Sequence, residues 1–289
     1  MAGSRIPQPL CGTTDGFDID TLALMQSPLQ GPVCSFRLDD MIAEAVARGA
    51  YTLPKKKAAR HRHAKHPHAF QCPKAGKLGA LSAHYESGDR GSAAIGYDNT
   101  GGWSYGKYQI ETINGTMKDF LKYAEGNAPD TYKKLVAAGG YDAALAGKET
   151  FKKAWINLAA KDDFTDLQHN FIQARNYDPL VAKVKADCSL DVTVHSAALR
   201  DVVWSIAVQH GPGAKVISRA LHGKSVARMT DEEIIDAIYN ERERTKAGAH
   251  GGRVLFYFPK STADVQKSVL SRFERERFCA KQMLSAEKK

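Results

Sequence analysis

The chain has 289 residues, 43% of them hydrophobic and 25% charged, with a formal net charge of +9 and an isoelectric point near 9.2. That length suits one large domain with an appendage or two small domains, and it is enough to bury a substantial core. The positive balance fits a polyanionic partner or plain solubility. The chain has no zinc-finger spacing, Walker A loop or aromatic-basic RNA signature, which argues against nucleic acid, and no run approaches the ~18 apolar residues of a membrane span.

Residues 1–35, rich in Gly, Pro, Thr, Ser and Asp, read as loop or extended arm. They lack a charged stretch followed by a long apolar run, so no ordinary secretory signal is expected. Over 36–50, Leu38, Met41, Ile42, Ala45 and Val46 share one helical face, with Gly49 as a stop. Residues 54–75 crowd basic side chains and histidines between prolines. His61, His63, His66, His68 and Cys72 are of zinc-binding type, but their spacing fits no strong template, so the reading is a solvated linker with no metal. The five cysteines form no C-x-x-C pair, and their odd count leaves at least one thiol in a monomer. Cys11–Cys34 and Cys188–Cys279 are candidate pairs in an oxidising compartment, with buried reduced thiols as the alternative.

From Lys77 the pattern turns helical. Leu78, Leu81 and Tyr85 recur at helical spacing over 77–87. Residues 90–110 are Gly-rich and aromatic, as in a hairpin or ordered loop. Met117, Phe120, Leu121 and Ala124 make a stripe over 115–126, and a short helix over 130–138 stops at Gly139-Gly140. Residues 149–174 are helical with one or two breaks. Residues 194–210 are strongly apolar and read as a central helix ended by Gly211-Pro212-Gly213, with further apolar spacing over 213–222. Thr230 with Glu233 has the form of a capping box. Residues 254–259 read as a short strand, and Ser261 to Asp264 as the cap of a last helix of alternating charge. The domains expected are an arm or linker over 1–75, suited to docking or delivery, and a mainly α domain over 76–289 with one small Gly-rich β element.

The chemistry concentrates in residues 80–110. A carboxyl group at the end of an apolar helix feels both desolvation and the negative end of the helix dipole, and each favours its protonated form. Glu86 meets both conditions on paper, and glycoside hydrolysis needs such an acid to protonate the leaving oxygen. A second carboxylate then activates water or attacks. Asp89 sits on a turn, whereas Asp98, at what reads as a hairpin tip, is the candidate that a fold-back brings opposite Glu86.

Glu86-Ser87-Gly88, the Gly-rich stretch after it, and Gly106-Lys107-Tyr108-Gln109-Ile110 resemble the catalytic signature of the lysozyme-like superfamily. The motif is similar to those of soluble lytic transglycosylases and goose-type lysozymes. The wider spacing and "GGWSYGKYQI" look closer to the muramidase domains of phage-tail and type VI secretion proteins, which also resemble chitosanases. The resemblance covers roughly 77–289 and extends to "VVWSIAVQHGPGA" and "FYFPKS". It implies an α+β lysozyme-like fold with Glu86 as catalytic acid. It also implies that Ser104, Tyr105, Tyr108 and Gln109 line a glycan cleft.

The expected activity is hydrolysis of the β-1,4 bond between N-acetylmuramic acid and N-acetylglucosamine in peptidoglycan, without a cofactor. A lytic transglycosylase, a chitosanase-like enzyme and a non-catalytic wall-binding module are the alternatives. The resemblance further implies export by a type VI or phage-like route, action in a target periplasm, and an immunity protein and a spike or chaperone as partners. Gln209-His210 and Tyr239 read as structural residues, and Arg242 as a surface arginine.

Overall fold

The computed structural model describes residues 72–73, 76–82, 88–99, 101–248 and 251–287. The arm, the 36–50 helix, the histidine-rich stretch and Glu86 itself lie outside the described residues.

A 3-10 turn, Gly88–Ala93, leads into a three-stranded antiparallel sheet in the order β1 (Ile95–Asp98), β2 (Gly102–Tyr105) and β3 (Ile110–Glu111). The expected hairpin is therefore present, with a third short strand added. α1 (Thr116–Asn127) follows, and its buried stripe is the predicted Met117, Phe120, Leu121 and Ala124. α2 (Pro129–Ala137) opens with proline in its first turn, where a missing N–H costs nothing. The double glycine after it stops α2 as expected, but the chain at once re-enters a short helix, α3 (Gly140–Leu145).

The broken helical run resolves into α4 (Glu149–Ala159) and α5 (Asp162–Ile172), then a π-helical turn over Gln173–Tyr177 and α6 (Asp178–Cys188). These elements close around Trp155. Its ring lies 4.9 Å from Phe164, 5.3 Å from Tyr105 and 5.4 Å from Phe120, centroid to centroid. The tilted and edge-on geometries are those aromatic pairs prefer.

The second half is built on α7 (Ala197–His210), capped by Ser196, whose Oγ accepts from Leu199 N at 3.1 Å. α7 packs against α9 (Asp231–Arg242) and α10 (Ala263–Glu287), and a short α8 (Val216–Ala220) lies against α9. The capping box at Thr230 and Glu233 forms as its sequence predicts. The expected strand over 254–259 is shorter: β5 (Arg253–Leu255) pairs with β4 (Thr245–Ala247), and the chain turns before Phe258. The result is mainly α with a small antiparallel sheet, the class expected. Among the described residues no helix is long and apolar enough to cross a membrane, and no cluster of three or more His, Cys, Asp or Glu is placed to hold a metal.

One covalent link differs from expectation. Cys279, on the buried face of α10, pairs with Cys72 across 207 residues of sequence, not with Cys188. The Cα–Cα separation of 5.1 Å suits a bridge. Cys188 closes α6 as a thiol, donating to Val184 O at 3.1 Å. The other candidate pair, Cys11–Cys34, lies outside the described residues. A bridge closing so long a loop stabilises by about 2–5 kcal/mol. Cys279→Ser should therefore lower the thermal midpoint by several degrees relative to the oxidised parent. The same midpoint with and without reductant in the parent would deny the bridge that role.

Candidate active site

Side chains alternate across a strand, so paired residues in register share a face. Gly96, Ser104 and Glu111 are paired in one row, and Asp98 with Gly102 forms the next pair on that face. The opposite face carries Ile95, Tyr105 and Ile110 into the core.

On the first face, Asp98 is partly exposed at the end of β1, and its Oδ1 accepts from Gly101 N at 2.7 Å, closing the hairpin turn. Ser104 Oγ donates to Gln109 Oε1 at 2.8 Å, and Gln109 Nε2 donates to Gly106 O at 3.1 Å. Gln109 sits at φ +51°, a conformation an L residue rarely adopts, and its own side-chain bonds hold that turn. Glu111 is buried at 2% exposure and accepts from Asn114 Nδ2. The sequence reading passed over Glu111. Its signal was present in the strict alternation that sets it on the Ser104 face.

The two tyrosines assigned to the glycan surface are instead core residues. Tyr105 has no exposed surface; its hydroxyl donates to Ala144 O at 3.0 Å and its ring packs edge-on against Phe151. Burial raises its pKa well above the ordinary tyrosine range, with Glu149 adding to the effect. Tyr108 is also buried, with its hydroxyl 2.8 Å from Nδ1 of His169. Both point away from the Ser104 face because the turn at Gly106 and Gln109 directs them into the helices.

Two anchors hold the segments that flank Glu86. On the C-terminal side, the buried Gln168 of α5 accepts from Lys107 N at 3.1 Å and donates to Ser92 O at 3.3 Å. It thus ties the 3-10 turn after Glu86 to the turn after β2. Gly106 leaves room for that amide: a Cβ there would lie 2.2 Å from Gln168 Oε1, and its φ of +77° suits only glycine. Trp155 Nε1 donates to the same Ser92 O at 2.9 Å.

On the N-terminal side, the helical turn that begins at Ala80 is capped by a residue remote in sequence. Asp201 of α7, 3% exposed, accepts from Gly79 N through one oxygen and from Leu81 N at 2.8 Å through the other. Burial raises the pKa of this carboxyl, against the pull of the backbone N–H groups of Leu81, Gly79 and Ala80. Gly79 takes φ +89° and lies against Trp204, whose Nε1 would sit 2.6 Å from an added Cβ.

Trp204 also stacks on His169, centroids 4.6 Å apart and planes at 15°. Burial, with Lys77 and Lys107 nearby, lowers the His169 pKa to about 4. His210 closes α7 with its ring against Tyr257 and Phe258, and burial lowers its pKa to about 3, helped by Arg242 and Arg272. Tyr239 is the core residue expected, its hydroxyl donating to Glu276 Oε2 at 3.3 Å, whereas His210 packs by ring contact and its Nε2 has no hydrogen-bond partner among the described residues. Arg242 does not hold as a surface residue. It is fully buried, bonded to Glu276 Oε2 at 3.0 Å and to Gln209 Oε1 at 2.8 Å, with its guanidinium 4.1 Å from the Phe273 ring.

These features define a class: a helical domain with a small antiparallel sheet, in which the residues before and after the acid-bearing segment are tied to the helices. Residues 78–277 match the family described as type VI secretion system spike protein VgrG3-like, C-terminal, and the chain belongs to that family. It is 30% identical over 162 residues, 55% of its length, to the type VI secretion system spike protein VgrG3 of Vibrio cholerae serotype O1; the match spans 15% of that relative. Among solved structures, the native chitosanase from Bacillus subtilis MY002 is 16% identical, with a TM-score of 0.47 and coverage of 70% of this chain and 86% of that chain. The GH46 chitosanase of Gynuella sunshinyii in complex with chitotetraose is 12% identical, with a TM-score of 0.45 and coverage of 69% and 82%.

Two outcomes follow from this geometry. Asp201→Ala leaves two backbone donors without their carboxylate and should cost about 2 kcal/mol; an unchanged denaturation midpoint would refute the cap. His169 and His210 are held neutral, with folded pKa values of about 4 and about 3 against an ordinary 6.5. As pH falls below 6.5 the unfolded chain takes up protons that the folded chain refuses, so stability should fall. Thermal midpoints between pH 7 and pH 5 should decline in the parent and decline less in His169→Gln. A flat parent profile would contradict this.

Proposed function

We propose that the domain is a peptidoglycan-cleaving glycoside hydrolase of the lysozyme type, cutting between N-acetylmuramic acid and N-acetylglucosamine. Glu86 protonates the leaving oxygen, and Asp98 positions or activates the water. The observation that carries this reading is the sheet face. In the segment directly after Glu86 it gathers Asp98, Glu111 and the Ser104–Gln109 pair, while both flanks of Glu86 are tied to the helices. General acid catalysis needs an acid held in one place, and hydrolysis needs a carboxylate opposite it. Membership of the VgrG3-like family supports export on a type VI spike and action in the wall of a neighbouring cell. An immunity protein in the producer belongs to the same reading, with residues 1–75 as the docking arm.

A second assignment of the water-activating carboxylate rests on Glu111. Asp98 and Glu111 each accept a local hydrogen bond, from Gly101 N and from Asn114 Nδ2, and Glu111 occupies the row of Ser104 and Gly96, where the side chains are small.

Turbidity clearing of purified sacculi, followed by product masses, tests these roles. Glu86→Gln should slow clearing by at least about 100-fold with an unchanged thermal midpoint. Asp98→Asn and Glu111→Gln are compared in parallel; the one that loses activity to a similar degree is the second carboxylate. If neither does and the products carry 1,6-anhydro ends, the enzyme is a lytic transglycosylase. Clearing by Glu86→Gln at the parent rate would remove the acid assignment. Cleavage of soluble chitosan but not of sacculi would move the substrate. A parent inactive on both would mark a binding module.

A further inference from the structure

A separate groove is formed by α8, the following turn and α9, with Arg244 just beyond the end of α9. It is open and holds about 820 Å³. Arg219, Lys224, Arg228 and Arg244 line it, all exposed. Three carboxylates share the lining, and each is already engaged. Glu233 closes the capping box with Thr230. Asp236 is held by Arg277 at 2.8 Å and Lys281 at 2.9 Å. Glu241 accepts from the Tyr257 hydroxyl and pairs with Arg244 at 3.1 Å. Among the described residues neither Lys224 nor Arg228 has an acidic partner, and Arg219 bonds only to the Tyr257 hydroxyl, at 3.3 Å.

The arginines are also oriented. The Arg219 guanidinium lies 5.2 Å from the Phe256 ring and 5.8 Å from the Tyr257 ring, and that of Arg244 lies 3.8 Å from Phe256. Ring stacking holds a guanidinium plane while leaving its edge donors available, and those donors match the two oxygens of a carboxylate. The groove therefore pairs a surplus of positive charge with a ring-held guanidinium at Arg219 that has no acidic partner among the described residues, Arg244 already being paired with Glu241.

We propose that this groove binds the carboxylates of the peptide stems that project from peptidoglycan glycan strands. The proposal rests on the wall-cleaving reading above and deepens it. The sheet face reads the sugar, and the groove reads the peptide. The enzyme would thus favour stem-bearing wall over naked glycan, and the affinity gained would be electrostatic.

The test uses the full chain carrying Glu86→Gln, sedimented with purified sacculi and, separately, with glycan strands stripped of stems by an amidase. A second protein adds Arg219→Ala, Lys224→Ala and Arg228→Ala. A single Arg228→Glu variant serves if the triple variant is unstable. The expected result is about tenfold weaker binding to intact sacculi for the groove variant, shrinking as salt rises, with binding to stripped strands unchanged. Equal binding of both proteins to intact sacculi overturns the groove proposal and leaves the cleft reading standing. An equal loss on stripped strands overturns the stem assignment in favour of the sugar itself. Failure of the Glu86→Gln protein to bind either material overturns the wall reading and this proposal with it.

Discussion

A helix buried along most of its length has little water to satisfy its polar side chains, and α7 carries three of them in a single stripe. Asp201, Ser205 and Gln209 recur every four residues on an otherwise apolar helix, at 3%, 0% and 0% exposure. A polar group buried without a partner costs about 1–3 kcal/mol, so each of the three must be met by something outside the helix. Asp201 is met by the backbone that leads toward Glu86. Ser205 donates to Glu276 Oε2 at 2.9 Å, and Gln209 accepts from Arg242. The stripe thus joins the candidate active site to the far side of the domain through one rigid element.

At that far side Glu276 is a buried carboxylate on α10. Burial alone would raise its pKa, but Arg272 at 2.7 Å and Arg242 at 3.0 Å reverse the effect and hold it lowered. Such a node adds little net stability over apolar packing, yet removing one member leaves an uncompensated charge that costs about 3–5 kcal/mol. Its consequence is geometric: it ties α7, α9 and α10 together through Ser205, Arg242 and Glu276. The same α10 carries Cys279, bridged to Cys72. The chain ahead of Glu86 is therefore tied to the core twice, at Gly79 and Leu81 through Asp201 and at Cys72 through the disulfide.

Much of this was legible in the sequence. Apolar spacing located α1, α2, α7 and the helix after Thr230, because burial of one face leaves a 3.6-residue signature. Turn chemistry located the Gly-rich sheet. What escaped was long-range. Nothing local in Cys72 or Cys279 says that they meet, and Arg242 looks like any charged residue near a helix end until Glu276 is brought to it. Tyr105 and Tyr108 misled for a related reason. An aromatic residue beside glycines suits a sugar-facing loop as well as a strand whose other face is core, and only the turn geometry at Gln109 decides between them. The Asp201 stripe was readable in retrospect, since three polar residues at four-residue spacing inside an apolar helix demand buried partners.

The correction of the tyrosines changes what the cleft can use. With Tyr105 and Tyr108 turned inward, the face that follows Glu86 offers small or polar groups: Gly96, Ser104, Gln109, Asp98 and Glu111. Stacking on aromatic rings is then not how this face would grip a sugar. Its means are hydrogen bonds from a preorganised Ser104–Gln109 pair and the charge of its carboxylates. If one of those carboxylates holds a water opposite the acid, as the proposed function requires, that water is what separates hydrolysis from internal ring closure by the substrate. Under the proposed reading, the wide Gly-rich insert has a definite task. It returns the chain as a sheet whose one face carries Gly96, Asp98, Ser104 and Glu111 and whose other face sends Tyr105 and Ile110 into the core.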